Sequence, residues 1–226
     1  MRDYCDITIL LDRSGSMSTI KEGTINGVNE FIKEQKQIPG DGCWTLVLFD
    51  DHGSASGAKE EFPHYVYTQV PQENVTELSD SKYKPRGGTA LIDAACNVID
   101  SLGKRLNTTP EHLRPNKVLV VIVTDGKENS SKTYRKSDLA ERIAHQESVY
   151  NWKFIYLGAN QDAIAEAAGY GISTRGVNYE YTSAGITAAF HGTSSSTRQW
   201  KLDGNDTAKD YIIEPVREID VTVKVS

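Results

Sequence analysis

Short, nearly unbroken apolar runs alternate along the chain with longer stretches whose apolar residues recur every three to four positions. Residues 6–11, Asp-Ile-Thr-Ile-Leu-Leu, are the first run. Nearly every residue after Asp6 is apolar, the pattern of a strand buried on both faces of a parallel sheet. Residues 44–49 and 117–123 repeat it, the latter most clearly, and 153–157 predict a further strand. Residues 64–70 alternate more and carry Tyr65 and Tyr67, which predicts a strand near a sheet edge. Between these runs, 20–35 sets Ile25, Val28 and Ile32 at helical spacing. The stretch after Gly87-Gly88 aligns Leu91, Ala95, Val98, Leu102 and Leu106 on one stripe. Ser137 or Asp138 is expected to cap a helix running through His145. A short helix over 162–168 ended by Gly169, a short strand over 176–181 and a polar helix over 184–200 complete the series. That last helix is rich in Ser and Thr and shows no clear apolar stripe.

Strands separated by helices of this length imply right-handed crossovers. The expected fold is α/β: a doubly wound, mostly parallel sheet with helices on both faces. No internal repeat is visible. Residues 50–59 and 201–210 read as linkers, and the pattern changes after the second. There Ile219, Val221, Val223 and Val225 alternate with Asp220, Thr222, Lys224 and Ser226, a half-buried strand. The expected organisation is one domain over 1–202 and a C-terminal extension over 203–226 that docks on it.

Composition narrows the function classes. The 226 residues carry 25 Lys and Arg against 31 Asp and Glu, a net charge of −6, which argues against a general nucleic-acid binder. The longest apolar runs fall far short of the ~18 residues of a membrane span. The first residues lead straight into a strand with no signal-peptide pattern. Cys5, Cys43 and Cys96 are odd in number and widely spaced, as expected of reduced thiols. These features predict a soluble cytoplasmic protein, a monomer or weak homo-oligomer, with no nucleic-acid or membrane partner.

Ligands of open α/β sheets sit beyond the C-terminal strand ends. The first strand ends in Asp12-Arg13-Ser14-Gly15-Ser16, and the 117–123 strand in Thr124-Asp125-Gly126. A glycine-turned loop, Gly87-Gly88-Thr89, feeds the helix between them. Three loops thus deliver Asp12, Ser14, Ser16, Thr89 and Asp125 to one sheet edge. All five side chains offer oxygen, and hard divalent cations such as Mg²⁺ take oxygen ligands. Two carboxylates balance the charge, and three neutral hydroxyls leave the ion wanting an anionic ligand from outside. Mg²⁺ is the expected cofactor, with Mn²⁺ or Ca²⁺ as alternatives.

The three parts, in this order and at these strand ends, resemble the metal-ion-dependent adhesion site of von Willebrand factor A domains, over roughly residues 3–200. The resemblance implies that Ser14, Ser16 and Thr89 touch the metal directly and that Asp12 and Asp125 act mainly through water. It also implies a Rossmann-like fold and a protein partner whose Asp or Glu carboxylate completes the metal's coordination. The Leu11-to-Met17 wording and the Tyr156-Leu157-Gly158-Ala159-Asn160 stretch look like the small stand-alone A domains of bacteria and their viruses.

A non-enzymatic binding module is therefore the leading expectation. A metal-assisted phosphohydrolase is the alternative, but no His or Lys falls within the three motifs as an acid or base. The chain also lacks the Gly-x-x-x-x-Gly-Lys-[ST] phosphate loop and the Gly-x-Gly-x-x-Gly fingerprint. A self-assembling structural subunit is a third reading. Lys82, Lys84, Arg86, Arg13, Lys127, Lys132, Arg135 and Lys136 sketch a basic rim suited to an acidic partner, unless Glu128, Asp50 and Asp51 neutralise it.

Overall fold

A computed structural model describes residues 4–52, 61–159, 163–172 and 176–202. The C-terminal strand expected over 219–225, most of the 50–59 linker and the 203–226 extension lie outside the described residues. Six strands form one sheet in the order β3-β2-β1-β4-β5-β6. They are β1 (Tyr4–Asp12), β2 (Asp41–Phe49), β3 (His64–Pro71), β4 (Lys117–Thr124), β5 (Lys153–Ala159) and β6 (Gly176–Tyr179). Every pairing is parallel except β2 with β3, which is antiparallel and puts β3 at an edge. The central position of β1, between β2 and β4, explains its apolar run: from Cys5 to Asp12 every residue is buried.

Alternation within the strands divides the core into two layers. Ile7, Ile9 and Leu11 of β1 face α1 (Lys21–Lys36) and α5 (Ser183–Leu202), packing with Val28, Phe31, Ile186 and Phe190. Leu10, with Val120 and Ile122 of β4, faces α2 (Leu91–Thr108) and α3 (Lys136–Tyr150), packing with Leu91, Val98 and Leu139. Fully burying side chains such as Ile9 or Phe190 contributes about 1.5–3 kcal/mol each. A short α4 (Ala163–Gly169) precedes β6.

Two details differ from the sequence expectation. Helix α3 starts at Lys136, with Arg135 as its cap residue, and runs to Tyr150. Asp138 lies inside the first turn, where its carboxylate accepts the Arg135 N–H at 2.7 Å and satisfies a donor that the helix leaves open. Helix α5 does possess a buried stripe, Ile186, Ala189, Phe190, Thr193, Ser194, Thr197 and Lys201, at helical spacing. Three of these seven residues bear hydroxyls and Lys201 a charge, which hides the stripe from a hydrophobicity pattern. The Thr193 hydroxyl donates to the Ala189 carbonyl at 2.8 Å, and Gln35 Nε2 donates to the Ser194 carbonyl at 2.9 Å, so these polar groups are satisfied inside the seam. Gly23 and Gly27 of α1 lie directly against Ser183 and Phe190, letting the two helices approach closely.

Candidate metal centre

The C-terminal ends of β1 and β4 and the start of α2 converge on one side of the sheet. Asp12, the last residue of β1, is fully buried. Its Oδ1 accepts the Ser14 N–H at 2.6 Å, and its Oδ2 accepts the Thr124 hydroxyl at 2.6 Å. Its carbonyl accepts the buried Tyr83 hydroxyl at 2.6 Å. The chain then turns into a 3-10 helix, Gly15–Ile20, which places Ser14 Oγ and Ser16 Oγ 3.1 Å apart. Ser16 donates to Asp125 Oδ1 at 2.8 Å.

Thr89 reaches the same spot from the third loop. Its Oγ1 would lie 3.3 Å from a Cβ built on Gly126, and Ser16 Oγ 3.7 Å from it, so the two hydroxyls flank Gly126. The structure thus brings all five predicted residues, Asp12, Ser14, Ser16, Thr89 and Asp125, into one connected cluster. Ser16 is exposed at its surface and the other four are buried.

Backbone contacts hold the three loops in register. Gly15 N–H donates to the Gly87 carbonyl at 3.0 Å and Arg86 N–H to the Arg13 carbonyl at 2.7 Å. Gly87 has φ +65°, and the Asp51 carboxylate occupies the place a side chain would need; glycine meets both demands. On the other flank Thr89 N–H donates to Asn129 Oδ1 at 3.0 Å, and the Thr89 carbonyl accepts the N–H groups of Asn129 and Ser130.

Two buried or half-buried carboxylates tie the loop after β4 to the start of α2. Glu128 accepts the N–H groups of Ile92, Ser130 and Ser131 and the Ser131 hydroxyl. Asp93 accepts those of Lys132, Thr133 and Tyr134 and contacts His52 Nε2 at 3.0 Å. Burial opposes the charge on Asp93, but these N–H groups and His52 outweigh it and hold the carboxyl below its ordinary value.

The electrostatics of the pair Asp12 and Asp125 run the other way. Burial raises the Asp12 carboxyl to about 7; hydrogen bonds from Thr124 and Ser14 pull it down, and Asp125 adds to the rise. Burial likewise raises Asp125, against the hydrogen bond from Ser16. Asp125 Oδ2 is buried and has no hydrogen-bond partner among the described residues. Two crowded carboxylates, one with an orphaned oxygen, next to three hydroxyls make an oxygen-only donor set that fits a hard divalent cation. Among the described residues no three His, Cys, Asp or Glu side chains form a metal-holding group, because this set has two carboxylates and otherwise hydroxyls.

Several supporting residues lie outside the three sequence motifs, and one of them, Asp50, neutralises part of the basic rim as the sequence allowed. Asp50 follows β2 and is buried; its Oδ2 accepts Arg13 Nε at 3.0 Å and Arg86 Nε at 2.8 Å, which turns both guanidinium groups inward. Its position at a strand end was the available signal, but the small-residue stretch after it reads as a linker. Tyr83, Tyr179 and Tyr181 donate to the Asp12, Thr124 and Ser16 carbonyls respectively. No sequence motif marks them, since each acts on main chain.

The chain superposes on proximal thread matrix protein 1 from the mussel byssus, whose structure has a zinc-occupied MIDAS motif. The TM-score is 0.60 at 15% identity, over 87% of this chain and 46% of that one. It superposes on the pilus adhesin SpaC from Lactobacillus rhamnosus GG with a TM-score of 0.58 at 13% identity, over 86% of this chain and 30% of that one. Manganese-loaded TRAP protein of Plasmodium vivax gives 0.53 at 18% identity, over 84% and 74%. At these identities the likeness is one of fold, and the chain spans under half of the first two proteins. No curated protein sequence matches the chain. The model of the von Willebrand factor type A domain matches residues 6–188, most of the chain, and the protein belongs to that family.

Proposed function

We propose that the protein is a divalent-cation-dependent protein-binding module whose cation is held by Asp12, Ser14, Ser16, Thr89 and Asp125. One observation carries the reading: a buried, unpartnered carboxylate oxygen, Asp125 Oδ2, belongs to a connected cluster whose only donors are oxygens. Leaving such an oxygen unsatisfied costs about 1–3 kcal/mol or more, a cost that a bound cation offsets. Ser14, Ser16 and Thr89 would contact the ion, and Asp12 and Asp125 would balance its charge mainly through water. The ion supplies Lewis acidity toward a carboxylate presented by an Asp or Glu of the partner. Mg²⁺ suits a site of few carboxylates and several neutral oxygens, and Mn²⁺ or Ca²⁺ would substitute. The zinc-occupied and manganese-loaded sites named for two structural neighbours support a divalent ion.

Isothermal titration of EDTA-stripped protein with Mg²⁺ and Mn²⁺, with acetate present as a carboxylate ligand, tests this. Wild-type protein should bind one ion, and Asp125→Asn, which keeps the side chain's shape, should lose most of that affinity while its melting temperature is maintained. Absence of binding in the wild type, or undiminished binding in Asp125→Asn, overturns the assignment.

A further inference from the structure

The cation site takes one carboxylate, and the surface around it is built for more. We propose, resting on the cation reading above, that the partner's docking element is an acidic run. One carboxylate would go to the ion and others to Lys82 and Lys84 on one flank and to Lys132 on the opposite flank. Main-chain and side-chain hydrogen bonds fix these flanks. The Gly15–Gly87 and Arg86–Arg13 hydrogen bonds clip the segment carrying Lys82 and Lys84 beside Ser14 and Ser16. The Thr89–Asn129 and Thr89–Ser130 bonds clip the segment carrying Lys132 on the other side.

All three lysines are exposed, and none forms an ion pair among the described residues. The carboxylates that would neutralise them are engaged elsewhere. Asp50 is buried under Arg13 and Arg86, the Asp51 carboxylate packs against the main chain of Gly87, Glu128 is taken up by main-chain N–H groups and a serine, and Asp80 pairs with Lys21. A cationic rim with its local anions turned away, on a chain of net charge −6, concentrates attraction at the cation edge. The same net charge repels a long polyanion, and three lysines fall short of the ~6–10 phosphate contacts typical of nucleic-acid binding. A short acidic segment of protein is the partner that fits.

The test compares two peptides on the Mg²⁺-loaded protein: one with a single central Asp among Ser and Gly, and one with Glu on both sides of that Asp. At low salt the acidic run should bind about tenfold tighter, the combined worth of three exposed charge contacts, and salt should erase the advantage. The triple variant Lys82→Gln, Lys84→Gln, Lys132→Gln should lose the advantage yet keep wild-type Mg²⁺ affinity and wild-type affinity for the single-Asp peptide. Equal binding of the two peptides, an advantage that survives in the triple variant, or tighter binding of a single-stranded oligonucleotide than of the acidic run would each overturn the proposal. Failure of the cation reading looks different: the acidic run would still bind better, but EDTA would change neither affinity.

Discussion

The close seam between α1 and α5 permits a prediction in which one chemical change has opposite signs at two sites. Gly27 lies in the middle of α1, and a Cβ added there would sit 3.1 Å from Phe190 Cγ and 3.3 Å from its Cβ, with Cδ2 closer still. Phe190 is 1% exposed and its ring lies 6.3 Å from that of Phe31, so the ring has no free space to retreat into. Replacing Gly by Ala in a helix interior contributes about 1 kcal/mol of propensity. Overpacking a filled core costs about 1–3 kcal/mol, here toward the upper end because both neighbours are rigid rings. Gly27→Ala should therefore destabilise by about 2 kcal/mol net. Gly103 in α2 is the control: the nearest atom to its added Cβ is Gln146 Nε2 at 3.6 Å, an ordinary contact. Gly103→Ala should keep the full propensity gain of about 1 kcal/mol. Urea unfolding of both variants in EDTA, with slopes unchanged, gives the comparison directly. A midpoint for Gly27→Ala at or above wild type would refute the packing account, and a destabilised Gly103→Ala would refute the propensity account.

In Mg²⁺ titrations, Asp12→Ala should weaken binding more than Thr89→Ala, since the first removes a charge and the second one neutral oxygen; the reverse order would exclude the proposed division of roles. Asp93→Asn should lower stability at neutral pH by about 2 kcal/mol through weakened hydrogen bonds to the 132–134 main chain. Because the Asp93 carboxyl is held below its ordinary value when folded, its contribution is present above the unfolded value and is lost as pH falls through the folded one. The gap between wild type and Asp93→Asn in urea midpoints should thus close in acid, and a gap independent of pH would contradict this. Tyr83→Phe leaves the buried Asp12 carbonyl without its donor and should cost about 1–2 kcal/mol in thermal or urea melts; a neutral result would mean that water replaces the hydroxyl.

What the sequence makes legible follows from how strongly each element depends on apolar burial. Strands β1 and β4 are enclosed on both faces, so their hydrophobicity is nearly continuous and their ends, with Asp12 and Asp125, can be placed from the residues alone. The stripe of α2 marks the Gly87-Gly88-Thr89 loop in the same way. Helix α5 was legible as a helix but its buried face was not, because Thr193, Ser194 and Thr197 occupy core positions, the Thr193 hydroxyl bonding its own helix and the Ser194 hydroxyl accepting from Gln35 across the seam. Asp50 was legible only as one of three acids that could neutralise the basic rim: its partners Arg13 and Arg86 come from segments 37 and 36 residues away, and charge pairing at that range leaves no periodic trace. Asn129, Tyr83, Tyr179 and Tyr181 act on backbone groups, whose positions only the fold reveals.

The Asp93 and Glu128 clamps have a consequence for the time scale on which the metal edge rearranges. Between them they capture the amide of Ile92 in the first turn of α2 and those of Ser130, Ser131, Lys132, Thr133 and Tyr134, in a segment with no regular secondary structure. Those amides should exchange with solvent deuterium as slowly as core strands do, unlike ordinary loop amides. A loop that opens only when the domain itself opens cannot contribute ordering entropy to ligand capture. In the proposed site Thr89 and Asp125 would then meet a ligand as parts of one rigid body, with no loop closure to wait for.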